Sequence, residues 1–166
     1  MPAPLTPSTR DKLEAAGTAA LAAALAERGL VVRYIDGLHP LSPTQDRLVG
    51  QACASIQNCR AGAILILDAS RPSPPVTQLV RRGVSGVIGS GRLRGAAEIV
   101  RAGLPVYERR TDSAEALMVS DGEVLVGDGR GVIVVPATLA EEIADAAAEA
   151  IAFEEFTAEQ VAAGGG

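Results

Sequence analysis

A chain of 166 residues folds as one domain or at most two small ones, and at that length it buries roughly two-thirds of its unfolded surface without needing covalent staples. Apolar residues make up 48% of it and aromatic ones only 2%, so Ala, Val, Leu and Ile must fill the core. Fifteen Lys and Arg against twenty Asp and Glu leave a net charge of −5, which argues against a nucleic-acid binder working by phosphate neutralisation.

No apolar run approaches the ~18 residues of a membrane span, and residues 1–10, with Pro2, Pro4 and Pro7, hold no apolar signal-peptide core. Cys53, Cys59 and the single His39 make no zinc site of familiar spacing. The two thiols are expected to be reduced, as in a cytosolic protein, and not joined. The expectation is a cytoplasmic domain that touches neither membrane nor nucleic acid.

In chain order, Pro7 and Ser8 open a helix, with Ser8 and Asp11 at capping-box spacing. Gly17-Thr18 is a break, and Leu21, Ala24 and Leu25 carry a second helical stripe that Gly29 stops. Leu30 to Ile35 reads as a strand, the His39–Pro43 stretch as a loop on its prolines, and Val49 to Gln57 alternates weakly. Ala63 to Leu67 is a buried strand, followed by a short helix at Val76–Arg82 and a strand at Val84–Ile88. After the turn Gly89-Ser90-Gly91 a helix is predicted from about Arg92 to Ala102, then a strand at Leu104–Tyr107. This βαβ rhythm implies a largely parallel sheet with right-handed crossovers. Beyond Ala116 the pattern becomes short strands joined by glycine turns, ending in Gly131–Pro136. Thr138 and Glu141 then box the start of a long C-terminal helix whose apolar stripe fades, with residues 157–166 read as a frayed tail of the single domain 1–166.

Chemistry-bearing residues collect in the middle. Asp68 ends a buried strand, where ligands gather in parallel sheets, although an Asp there also caps its own loop. Gly89, Ser90 and Gly91 precede a predicted helix whose first N–H groups favour an anion. Arg92 and Arg94, with Ser70 and Arg71 from the preceding loop, would add contacts to a carboxylate or phosphate. Solvated arginines paired across a subunit boundary explain the same residues. Arg94 and Glu98 also stand at helical i,i+4 spacing. His39 reads as a surface or interface residue.

Four stretches carry a resemblance to a known family. They are Leu13 to Gly29; Ile35-Asp36-Gly37 through Leu41-Ser42-Pro43; Gly86 to Gly95 with Leu104-Pro105-Val106-Tyr107; and Val126 to Pro136. Together they are similar to the RraA-like family, which takes its name from a regulator of ribonuclease E activity. It also contains class II aldolases acting on 4-hydroxy-4-methyl-2-oxoglutarate. The resemblance implies an α/β fold, a β/β/α sandwich like the phosphohistidine swivelling domain with a C-terminal helix. It implies a homotrimer or hexamer with clefts between subunits. In the family's aldolases an Arg, matched by Arg94, binds the substrate carboxylate. The Asp after it holds Mg²⁺ or Mn²⁺, and a glycine-rich segment supplies N–H groups to the pyruvyl carboxylate.

This chain departs from that pattern at the chemistry. Gly95 stands where the metal-binding Asp is expected, Ser90 where the family has Asp in "DG", and Ala23 where an acid is usual. The segment after Asp68 reads Ala69-Ser70-Arg71-Pro72-Ser73-Pro74-Pro75, without paired glycines, and the stretch between Tyr107 and Asp121 is short. The expectation is therefore a non-catalytic regulatory or assembly subunit that needs no cofactor, partnering itself, a paralogue or another protein. The alternative is a lyase (aldolase or decarboxylase) of a small 2-oxo acid, using Arg94 and Asp68, with Mg²⁺ or Mn²⁺ or with none.

Overall fold

The computed structural model of the chain describes residues 2–110 and 117–164. Helix α1, Pro7–Glu27, is capped by Thr6, whose Oγ1 accepts from the Thr9 N–H at 3.2 Å. Thr6 thus takes the role expected of Ser8, because Pro7 fits the first helical position. The break at Gly17 is present, with φ +73° and ψ 174°, a conformation an L-side chain rarely adopts. It frees the Thr18 N–H and hydroxyl, which donate to the two carboxylate oxygens of Asp128 at 2.8 and 3.1 Å.

Among the described residues eight strands follow: β1 Arg33–Tyr34, β2 Leu38–Pro40, β3 Leu48–Cys53, β4 Ile64–Leu67, β5 Gly86–Gly89, β6 Val106–Arg109, β7 Val124–Asp128 and β8 Gly131–Val135. They form one sheet in the order β1-β8-β7-β3-β4-β5-β6-β2. The parallel run expected from the βαβ rhythm is β3-β4-β5-β6, and antiparallel strands extend it at both ends. Helices α2 (Val76–Arg82) and α3 (Ala96–Arg101) serve the parallel half, and α4 (Ala140–Gly164) packs on α1.

Period-two alternation sorts the strand side chains into layers. Val124, Val126, Ile133 and Val135 face α1 and α4, where Leu13, Leu21, Leu25 and Ile143 are fully buried. Leu65, Val87 and Val106 face α2 and α3. The residues between them, including Ile64, Ile88, Tyr107, Leu125 and Val132, form a third core between the two halves of the sheet. Strand β3 belongs to all three, with Val49 in the first, Cys53 in the second and Leu48 and Ala52 in the third. Truncating one fully buried leucine of α1 to alanine would cost about 2–5 kcal/mol.

Several expectations shift. Only Arg33–Tyr34 of Leu30–Ile35 is strand, and the proline-bounded segment forms β2, paired with β6 at the end of the strand order. A sheet edge is where proline is tolerated. β3 stops at Cys53, and Ile56–Asn58 turns back as a 3₁₀ helix. The last strand of the βαβ run starts at Val106 rather than Leu104. A 3₁₀ turn, Ala137–Leu139, takes the place of the Thr138–Glu141 box. α4 stays helical through Gly164, past the stretch read as frayed, and its side chains from Ala152 onward are exposed. Among the described residues no helix is long and apolar enough to cross a membrane.

Candidate functional site

Strands β4 and β5 end side by side, with Leu67 opposite Gly89, and the loops leaving them are stitched together. The Ser90 N–H donates to the Leu67 carbonyl at 3.0 Å, and the Ala69 N–H donates to Ser90 Oγ at 3.0 Å. Asp68 folds its exposed carboxylate back on its own loop, accepting from the Ser70 N–H at 2.9 Å and the Ser70 hydroxyl at 2.8 Å. Those two bonds, with Arg71 adding attraction, hold the Asp68 carboxyl below its ordinary range. Ser73 Oγ donates to the Arg94 carbonyl at 3.0 Å and so ties the proline-rich loop to the next turn.

That turn differs from the sequence reading. The helix expected from Arg92 begins only at Ala96, because Gly95 sits at φ +76° and stops helical geometry before it. The Leu93 N–H donates to the Glu108 carboxylate of β6 at 3.1 Å, so an internal acid occupies one donor that an anion would need. α3 is only six residues long, and Arg92 and Arg94 are exposed in the turn before it, not in a first helical turn. Gly89, Ser90 and Gly91 are buried beneath them.

A cleft of about 570 Å³ opens at these strand ends. Asp68, Arg71 and Ser90 line one side, and Arg92 and Arg94 lie outside it. The other side comes from Ser55, Ile56 and Gln57 after β3 and from Leu117, Val119 and Asp121 before β7. None of these was a candidate from the sequence, since only the antiparallel pairing of β3 with β7 brings the two segments together. Asp121 is committed to structure too, accepting from the Ala54 N–H at 3.0 Å. A second cavity, about 220 Å³, lies between the N-terminal segment and Arg10, Gln51, Cys53 and Asn58.

A divalent ion of the Mg²⁺ or Mn²⁺ type needs about six oxygen ligands, waters included. Gly95 offers none, Asp68 already accepts from Ser70 in its own loop, and Asp121 accepts from the Ala54 N–H of the segment after β3. Among the described residues no three of His, Cys, Asp and Glu are grouped to hold a metal. The residues present do not fit that ion. His39 is exposed on β2. Cys53 and Cys59 are free and buried, and burial, followed by the neighbouring Cys53, pushes the Cys59 thiol well up.

No protein-family model matches the chain, and no curated protein does. Solved structures do. RraAS2 of Streptomyces coelicolor, described as an unusual member of the RNase ES inhibitor RraA protein family, is similar with a TM-score of 0.71 at 21% identity, over 92% of this chain and 96% of its own. An uncharacterized protein from Pseudomonas syringae pv. tomato DC3000 is similar with a TM-score of 0.73 at 23% identity, over 99% and 96%. A structure described under novel cellulases from gut-associated microbes reaches 0.73 at 15% identity, over 93% and 89%. At such identities the likeness shows the fold, and the fold is RraA-like.

Proposed function

We propose that this RraA-like chain is non-catalytic: a regulatory or assembly subunit that acts through its surface, within a trimer-based oligomer of its own copies or with a paralogue. The observation that carries this is Gly95. Where the resemblance places a metal-binding Asp, the chain has a glycine in left-handed backbone, and Asp68 of the cleft is spent on Ser70. The description of the Streptomyces neighbour as belonging to an inhibitor family supports a role exerted on another protein.

The test is pyruvate release from oxaloacetate and from 4-hydroxy-4-methyl-2-oxoglutarate, with Mg²⁺, with Mn²⁺ and with chelator. Wild type and Arg94→Ala should both give only background. Metal-dependent turnover lost in Arg94→Ala would overturn the reading.

One observation favours a second reading, a lyase or a binding site for a small carboxylate with no metal. The cleft is large enough for a small 2-oxo acid, and Arg71 is its only cation among the described lining residues. On this reading oxaloacetate binds in the presence of chelator, and Arg71→Ala weakens it at least tenfold by calorimetry. Equal heats from wild type and variant would remove it.

A further inference from the structure

The second cavity lies at a seam in the fold. Val49, Gln51 and Cys53 alternate onto one face of β3, with Val49 in the core under α1 and α4 and Cys53 in the core beside α2 and α3. Between them, at Gln51, the cavity of about 220 Å³ opens. Pro4 and Leu5 of the segment before α1 wall it on the far side. That segment is fastened to the sheet. Gln51 Nε2 donates to the Ala3 carbonyl at 3.0 Å, and Arg60 Nη1 donates to the Pro2 carbonyl at 3.1 Å. The Pro2 ring packs on Gly122, where a Cβ would come within 2.6 Å of it. The space beneath survives because Ala52, Ala61, Gly62 and Ala63 line it with almost no side chain. Protein interiors are close-packed, and an apolar cavity of about 150 Å³ already admits benzene.

Arg10, near the start of α1, sets the charge of this space. Its Nη2 donates to the Gly62 carbonyl at 2.8 Å. The guanidinium lies so close over Gly62 that a Cβ there would stand 3.1 to 3.5 Å from Nη2, Cζ and Nη1. That bond uses one of the five N–H donors of an arginine. Arg10 makes no other side-chain hydrogen bond and no ion pair among the described residues. Burial lowers its pKa from the ordinary value, and the more distant Glu14 and Asp11 offset only part of that. A half-buried cation without a counter-ion is costly to keep, and an anion seated on its unused donors would remove that cost.

The lining also limits which anion fits. Its charged members among the described residues are Arg10, Arg60 and Asp11, two cations against one acid, so a single negative charge is matched and a phosphate dianion is not. Pro4, Leu5 and Pro7 offer no side-chain donor and suit an apolar body.

We propose that this cavity binds a small organic monocarboxylate with an apolar body of about the size of a benzene ring, its carboxylate on Arg10 and its body against Pro4, Leu5 and Ala63. The cavity shares no lining residue with the cleft at the ends of β4 and β5. The site therefore stands whether or not the chain is catalytic.

The probe is benzoate, titrated calorimetrically into the full chain at about 0.15 M salt, with circular dichroism as the check on folding. Wild type should show one saturable site with a Kd of about 1 mM or tighter. Benzamide, which has the shape without the charge, and acetate, which has the charge without the body, should each bind at least tenfold more weakly. Arg10→Met keeps an apolar stem and loses the guanidinium, and it should weaken benzoate at least tenfold. In ¹⁵N-resolved spectra of wild type, benzoate should shift the amides of Gln51, Gly62 and Ala63 and leave that of Ser90 in place, a readout that needs no variant. No saturable heat, benzamide binding as well as benzoate, an unchanged Kd in folded Arg10→Met, or shifts centred on Asp68 and Ser90 would each overturn the proposal.

Discussion

Asp128 shows how much one carboxylate can hold. It accepts from the Thr18 N–H, the Thr18 hydroxyl and, at 2.9 Å, the Arg130 N–H, and so ties the break in α1 to the β7–β8 turn. Asp128→Ala should cost about 1–3 kcal/mol, read as a lower urea midpoint, with Asp128→Asn losing less because it still accepts. Tyr107 is fully buried, its hydroxyl against the backbone carbonyls of Asp46 and Asp128. Burial first, then the two acids, pushes its pKa above the ordinary tyrosine range. The sign follows: the unfolded chain releases this proton at about pH 10, while the folded one retains it. The stability from Tyr107 is therefore full below pH 10 and is lost as pH rises through and beyond it. In an alkaline titration followed by absorbance and circular dichroism, the Tyr107 phenolate should appear only together with unfolding; a Tyr107 phenolate in folded protein would refute this. Cys59, buried with a raised thiol, should resist alkylation until denaturant is added.

Among the elements, the turn between β5 and α3 decides the chemistry. Gly95→Asp meets no clash, since nothing lies within 4 Å of the added Cβ, but it must accept a left-handed backbone. Asp tolerates that better than most residues, so the cost should be about 1–2 kcal/mol. No Mg²⁺ or Mn²⁺ heat should appear in calorimetry, because Asp68 and Asp121 stay engaged; binding in the micromolar range would show that a site can still assemble. The same turn marks the limit of what the residues reveal on their own. Gly17 beside Thr18 announces its break locally, and the alternation of β7 and β8 announces their two faces. The start of α3 does not, since Arg92–Gly95 satisfies helical spacing and only Glu108, fifteen residues on in another strand, claims the Leu93 N–H. β2 is masked by its prolines, which an edge permits. The cleft wall at Ser55–Gln57 and Leu117–Asp121 has no linear signature, because a pairing across some seventy residues creates it.

For the molecule as a whole, β3 is the shared member. It pairs with β7 on one side and β4 on the other and contributes to every core. The halves should therefore melt together, in one transition by circular dichroism and with β3 amides among the slowest to exchange; two separated transitions would contradict this. The outer half of α4 shares none of that protection, and its amides should exchange faster than those of β3. The strand order also sets a schedule for biosynthesis. β4, β5 and β6 meet neighbours made shortly before them, but β1 must wait for β8, with Arg33 opposite Val134, and β3 for β7, with Leu48 opposite Gly127. While the chain emerges from the ribosome, β1, the apolar face of α1 and one edge of β3 lack their partners until the last third is translated. Leu13, Leu21 and Val49 meanwhile show the greasy surface that chaperones grip. A chain stopped before β8 cannot bury that surface, so the first core closes only once the last strands and α4 are made.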